Sequence, residues 1–79
     1  MEKTIHSTRY AIFLNLLRET RERSGITQIE VADKLNATQT FVRKCERGER
    51  RIDIIELHAW CSALGITLAE FSTKLEKKF

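Results

Sequence analysis

Between Thr38 and Arg51 the chain reads TQTFVRKCERGERR, and this stretch concentrates the side chains best suited to meeting a polyanion. Read as a helix that turns about 100° per residue, it puts Thr40, Arg43, Lys44 and Arg47 opposite Val42 and Cys45. Gln39 falls in the first turn, pointing away from the body of the protein. The chemistry of these groups is specific. Gln bonds bidentately to adenine, Arg or Lys reaches guanine O6 and N7, and Thr touches the thymine methyl. Gln39, Thr40, Arg43 and Lys44 thus carry groups suited to base edges. Arg47, and Arg50 and Arg51 in the segment that follows, are expected on phosphate. A short helix with two inward anchors and a polar outer face is poorly explained by stability alone.

The charge distribution agrees. The 79 residues carry a formal charge of +3. Gln39 to Arg51 holds five basic residues and two acids, so its local excess of three equals that of the whole chain. The remainder is balanced. A basic patch on a neutral body is the electrostatic footprint of nucleic-acid binding. A solvated basic loop gives the same charge count, so the argument rests on the placement of these residues.

Other chemistries find little support. Cys45 and Cys61 lack CxxC spacing and are too few for a disulfide framework. His58 and Cys61 form an i, i+3 pair that could supply two metal ligands, but no third follows. The expectation is no metal and no cofactor, with both thiols filling the core. No Ser/His/Asp or Cys/His set, glycine-rich phosphate loop or paired-carboxylate cleft is visible, so catalysis is not expected. No apolar run approaches the roughly 20 residues that span a bilayer, so no membrane is expected. The leading MEKTIHSTRY has no apolar h-region. A cytoplasmic protein is the expectation.

The elements that must position these residues are legible from their ends. Gly25, Gly48 and Gly65 each stand just past an apolar-periodic stretch, where helices end at positive φ. Asn36 takes a fourth such place. Four stops imply five helices. Thr27-x-x-Glu30, Asp53-x-x-Glu56 and Thr67-x-x-Glu70 are capping boxes, and Thr38 caps without a box partner. The spacing predicts one all-α domain over the whole chain, with helices at about residues 8–23, 28–35, 39–47, 54–64 and 68–77. The expected inward faces are Tyr10, Phe13, Leu14 and Leu17; Val31, Ala32 and Leu35; Ile54, Leu57, Cys61 and Leu64; and Leu68, Phe71 and Leu75. Phe41 is expected to pack on the second helix, with sugar or thymine methyl as the alternative. Trp60 and His58 are expected at the core margin or in a dimer contact. Lys77 and Lys78 complement the dipole of the last helix.

The break Leu35-Asn36-Ala37-Thr38 is short enough to set two helices at a steep angle, the helix-turn-helix arrangement. The second helix would then lie across the DNA backbone with its N-terminal amides toward a phosphate. At this point the stretch from Leu17 to Phe71 resembles the lambda-repressor-like, Cro/C1-type helix-turn-helix regulators. The resemblance runs through Arg21, Gly25-Ile26-Thr27-Gln28, Val31-Ala32, Leu35, TQTFVRKCERG from Thr38 to Gly48, and Leu64 to Leu68 with Phe71. It implies that Thr27 and Gln28 open the second helix and contact phosphate, that Gln28 also touches the recognition helix, and that the third helix reads bases through Gln39, Thr40 and Lys44, with Arg43 in addition. It also implies a structural, partly buried Arg21–Glu46 ion pair. The chain departs from the pattern at Asn36, at Thr20 where an apolar residue is usual, at Ile52-Asp53, and at Cys45, which leaves the third helix lightly anchored.

The sequence thus points to a sequence-specific regulator of transcription, with repression favoured over activation. Leu68, Leu75 and Phe79 are expected to exceed what a small core can cover and to form a homodimer. Two-fold symmetry would set two recognition helices about 34 Å apart on a near-palindromic site in double-stranded DNA. An antitoxin or a restriction–modification controller would use the same DNA chemistry, the former with a toxin or other regulator as protein partner. A protein–protein adaptor on the same fold is the alternative from another class.

Overall fold

The computed structural model describes residues 8–79. The reading of the leading segment rests on residues 1–7, which lie outside the described residues, as well as on the start of the first helix. Five helices follow in order: α1 Thr8–Arg23, α2 Gln28–Lys34, α3 Gln39–Glu46, α4 Ile54–Leu64 and α5 Leu68–Lys78. No strand occurs among the described residues. The helices α2 and α3 stop one residue before the expected ends, because Leu35 and Arg47 serve as C-caps.

The helix starts are closed by side chains. Thr27, Asp53 and Thr67 each accept a hydrogen bond from the backbone three residues on, and Glu30, Glu56 and Glu70 accept one back. Thr38 Oγ1 accepts from the Phe41 amide at 3.1 Å. The helix ends repeat one device. Ile26, Ala37, Glu49 and Ile66 each donate to a carbonyl five residues back, at 2.8 to 3.3 Å. The residue before each donor has φ between 56° and 80°. This is the Schellman closure, and it needs a left-handed residue. Asn36 fills that place at φ 56°.

All five helices build the core, through Leu17 of α1, Val31 of α2, Val42 and Cys45 of α3, Trp60 and Cys61 of α4, and Phe71 of α5. Phe71, fully buried, meets Phe13 edge-on at 5.9 Å, and Phe13 stands 5.3 Å from Tyr10. The Tyr10 hydroxyl accepts from the Ile52 amide at 3.1 Å, tying α1 to the start of the α4 segment. Leu16 is buried on α1, while Leu14 only packs against the margin. Thr20 is also buried, and its hydroxyl donates to the Leu16 carbonyl at 2.7 Å. A polar group therefore sits on an apolar face at no cost in unmet hydrogen bonds.

Two expected faces are corrected. Ile54, the first residue of α4, is exposed. Trp60, only 1% exposed, lies in the core rather than at its margin. Its indole N–H has no hydrogen-bond partner among the described residues. No single described helix is long and apolar enough to cross a membrane.

The capping carboxylates make the fold acid-sensitive. The backbone amides of Thr27 and Thr67 hold Glu30 and Glu70 below the usual 4.5. The Arg50 guanidinium, then the Asp53 amide, does the same for Glu56. A lowered folded-state pKa contributes stability that is complete above the unfolded value and is lost as pH falls through the folded one. The urea midpoint is therefore expected to hold near neutrality and to drop on acidification below 4.5. A midpoint unchanged down to about pH 3 would contradict this.

Candidate nucleic-acid interface

The site begins at a carboxylate. Glu46, the last residue of α3, is buried, and its side chain is only 4% exposed. Arg21 grips it with a fork: Nε donates to Oε2 at 2.6 Å and Nη2 to Oε1 at 3.1 Å. Arg21 Nη1 also donates to the Ile26 carbonyl at 3.1 Å, inside the α1–α2 connection. The Gln28 amide donates to Glu46 Oε1 at 3.0 Å. One buried carboxylate thus holds α1, the start of α2 and the end of α3. Arg suits this place because its planar fork matches a carboxylate with little loss of freedom.

The turn from α2 to α3 sets the second constraint. The amides of Asn36 and Ala37 bond back to Asp33 and Ala32, so the chain reverses within four residues. Val31 and Ala32 on α2 and Val42 and Cys45 on α3 close the joint as buried contacts. Burial raises the Cys45 and Cys61 thiol pKa values, which keeps both as neutral apolar filling.

With Val42, Cys45 and Glu46 inward, the other side of α3 faces outward. Gln39, Thr40, Arg43 and Lys44 are all exposed. Their side chains make no hydrogen bond or ion pair with any described residue. The structure therefore brings the four expected base-contacting residues onto one solvent-facing side. Three of the other cations are occupied. Arg47 pairs with Glu49 at 3.0 Å, with both side chains largely in water. Arg51 lies over the Tyr10 ring at 4.5 Å. Arg50 places a fork on Glu56, at 3.0 and 2.8 Å, and covers the Phe41 ring at 4.8 Å. Thr27 is the α2 cap, and its own amide is taken by Glu30 at 2.8 Å.

Phe41 packs inward. It lines a cleft of about 180 Å³ with Leu35, Ala37, Glu56, Ala59 and Trp60, so it belongs to the joint between α3 and α4. His58 is exposed on α4. The expected dimer surface changes. Leu68 and Leu75 are half-buried against the core, and of that set only Phe79 remains exposed, at 53%. It lies under Arg9 at 5.0 Å. Ile29, Ile54 and Ile55 are exposed as well, which periodicity did not indicate. The Arg50–Glu56 fork was also missed. Glu56 already had a role as a capping-box residue, and a loop-to-helix pairing has no fixed spacing that would announce it.

Comparison with known proteins decides the family. A helix-turn-helix family profile matches residues 17–71, more than half of the chain. The chain belongs to the helix-turn-helix family, a DNA-binding regulator fold. The Cro/C1-type resemblance and the all-α five-helix fold are thereby shown. The control protein C.MunI of Mycoplasma sp is 30% identical over 67 residues, which is 84% of this chain and 90% of that one. An XRE-family like protein from Pseudomonas syringae pv. tomato str. DC3000 superposes with a TM-score of 0.86 at 44% identity, over 95% of this chain and 92% of that chain. The restriction–modification controller protein C.Esp1396I, solved as a tetramer in complex with its natural 35 base-pair operator, gives a TM-score of 0.83 at 25% identity. That match covers 92% of this chain and 96% of that chain.

Two substitutions test the frame of this helix-turn-helix. Glu46→Ala leaves Arg21 and Gln28 without their acceptor and is expected to cost about 3–5 kcal/mol in urea unfolding. A loss below about 1 kcal/mol would mean the carboxylate is not the tie described. Asn36→Val places a β-branched residue at positive φ and is expected to cost roughly 1–2 kcal/mol, whereas Asn36→Gly should be nearly neutral. Equal effects of the two would remove the backbone explanation.

Proposed function

We propose that this chain is a sequence-specific, double-stranded-DNA-binding regulator of transcription, acting as a repressor from a near-palindromic operator. The observation that carries the reading is the outer side of α3. Gln39, Thr40, Arg43 and Lys44 stand exposed and uncommitted on a helix whose inner side is fixed by Val42, Cys45 and Glu46. In this reading those four meet base edges in the major groove. Arg47 and Arg51 meet phosphate, with the Arg47–Glu49 pair opening at little cost because both groups are solvated. Thr27 and Gln28 approach phosphate from the start of α2, where the Gln28 and Ile29 amides have no described partner. Gln28 also carries Glu46, so its approach would be held in register with α3. No catalytic role is proposed, and the proposed site of action is the cytoplasm, a reading that a DNA target supports.

The proposed assembly is a homodimer, which would set two recognition helices about 34 Å apart on DNA. Phe79 is the one exposed residue of the expected contact set. The likeness to C.MunI and to operator-bound C.Esp1396I favours a more specific second reading. In it, the chain is the controller protein of a restriction–modification system and acts on an operator in double-stranded DNA.

Selection of bound sequences from random DNA tests the reading, with an enriched palindrome as the expected result. Lys44→Ala and Gln39→Ala should each relax preference at one position of the half-site by about 1–3 kcal/mol. Arg51→Ala should weaken binding to all sequences alike and reduce the salt slope by about 1. Weak binding with no enriched sequence would favour the adaptor alternative. A monomer by light scattering at DNA-binding concentrations would end the dimer proposal.

A further inference from the structure

Helix α3 is unevenly anchored. Its buried side chains, Val42, Cys45 and Glu46, all lie in its middle and C-terminal parts. Gln39 and Thr40 stand exposed in the first turn, and among the described residues Phe41 is the side chain of that turn that packs against the body of the protein, ahead of buried Val42. Phe41 is half-buried between the α2–α3 turn and α4, beside Leu35, Ala37, Ala59 and Trp60. Its outer face is covered by the Arg50 guanidinium, 4.8 Å from the ring centroid. Arg50 does not float there. Nη1 and Nη2 take both oxygens of Glu56, at 3.0 and 2.8 Å, and Nη1 also donates to the Arg51 carbonyl at 3.0 Å. Glu56 is fixed in turn, because Oε1 also accepts the Asp53 amide at 3.0 Å. The chain of contacts runs from the N-cap of α4 through Glu56 and Arg50 to Phe41, and so to the reading end of α3.

We propose that Arg50 is a positioning residue: clamped by Glu56 and stacked on Phe41, it fixes the first turn of α3 so that Gln39 and Thr40 keep their aim at the bases. This deepens the proposed function and rests on α3 being the DNA-reading helix. It replaces the expectation that Arg50 contacts phosphate. Three of the five guanidinium N–H groups are already used within the protein. The charge is matched by a carboxylate in a bidentate fork, a geometry stronger than an ordinary surface pair. Lysine cannot replace it, since an ammonium offers neither the fork nor the flat face that lies on Phe41.

Two conservative variants separate the clamp from a phosphate contact. Arg50→Lys keeps the charge and loses the fork. Glu56→Gln keeps a side-chain carbonyl for the Asp53 cap and loses the charge that holds Arg50. The clamp predicts that both variants lower the ratio of specific to non-specific DNA binding about tenfold, the discrimination of one well-aligned base contact. It also predicts that the loss maps to the base pairs read by Gln39 and Thr40, with the salt slope unchanged. A phosphate role predicts that Arg50→Lys binds as the parent does and that Glu56→Gln, one acid fewer beside a polyanion, binds every sequence more tightly. Either of those results overturns the proposal. Circular dichroism and urea midpoints confirm that the variants are folded, and Phe41→Leu, which removes only the ring face, provides a further arm with the same expected loss. Lys44→Ala in the same assay tests the underlying reading by itself: if it leaves base preference intact, α3 is not the reading helix, whatever Arg50 does.

Discussion

The buried Glu46 carboxylate is the constraint on which the geometry turns. An ionised group at 4% side-chain exposure is tolerable only when its oxygens are met by donors, and Arg21 and Gln28 meet them. Because those donors come from α1 and from the start of α2, satisfying one charge fixes the relation of three helices. The tie specifies geometry more than it adds stability, since desolvating both ions offsets much of their attraction. Its consequence is functional. The end of α3 cannot shift without exposing or orphaning a charge, so the outer side of α3 is presented in one orientation.

The cations around this frame do different physical work although they belong to one sequence cluster. Arg43 and Lys44 have no partner among the described residues and contribute to the positive field without restraint. Arg47 is loosely paired in solvent. Arg51 rests on the Tyr10 ring, which itself takes the Ile52 amide, so the loop between α3 and α4 is laid against α1. Arg50 is bound at both its edge and its face. A count of positive charge treats all five alike. The local field is smaller than that count suggests, because Glu49 and Glu56 sit against two of the five.

Apolar residues show a similar division. Leu68 and Leu75 complete the core, so α5 has less free surface than its length implies. Exposed hydrophobic side chains instead appear at helix ends, at Ile29, Ile54, Ile55 and Phe79. Periodicity assigns Ile54 to the inner stripe of α4 because it is in phase with Leu57, Cys61 and Leu64. Phase is only an angle about the axis. Whether a neighbour covers the first turn is set by how the other helices pack around it.

The sequence by itself determined the five helices, their starts and stops, and the outward side of α3. These features are local: a capping oxygen, a carboxylate three residues on, a residue able to adopt positive φ, and an apolar stripe all act within one or two turns. Family resemblance added the Arg21–Glu46 pair, which joins residues 25 apart and which spacing alone would not indicate. Only the tertiary structure decided that Trp60 is a core residue, that Leu68 and Leu75 are covered, and that Arg50 serves Phe41 and Glu56. Each of these depends on which surfaces of different helices meet, and that follows from the packing of the whole bundle.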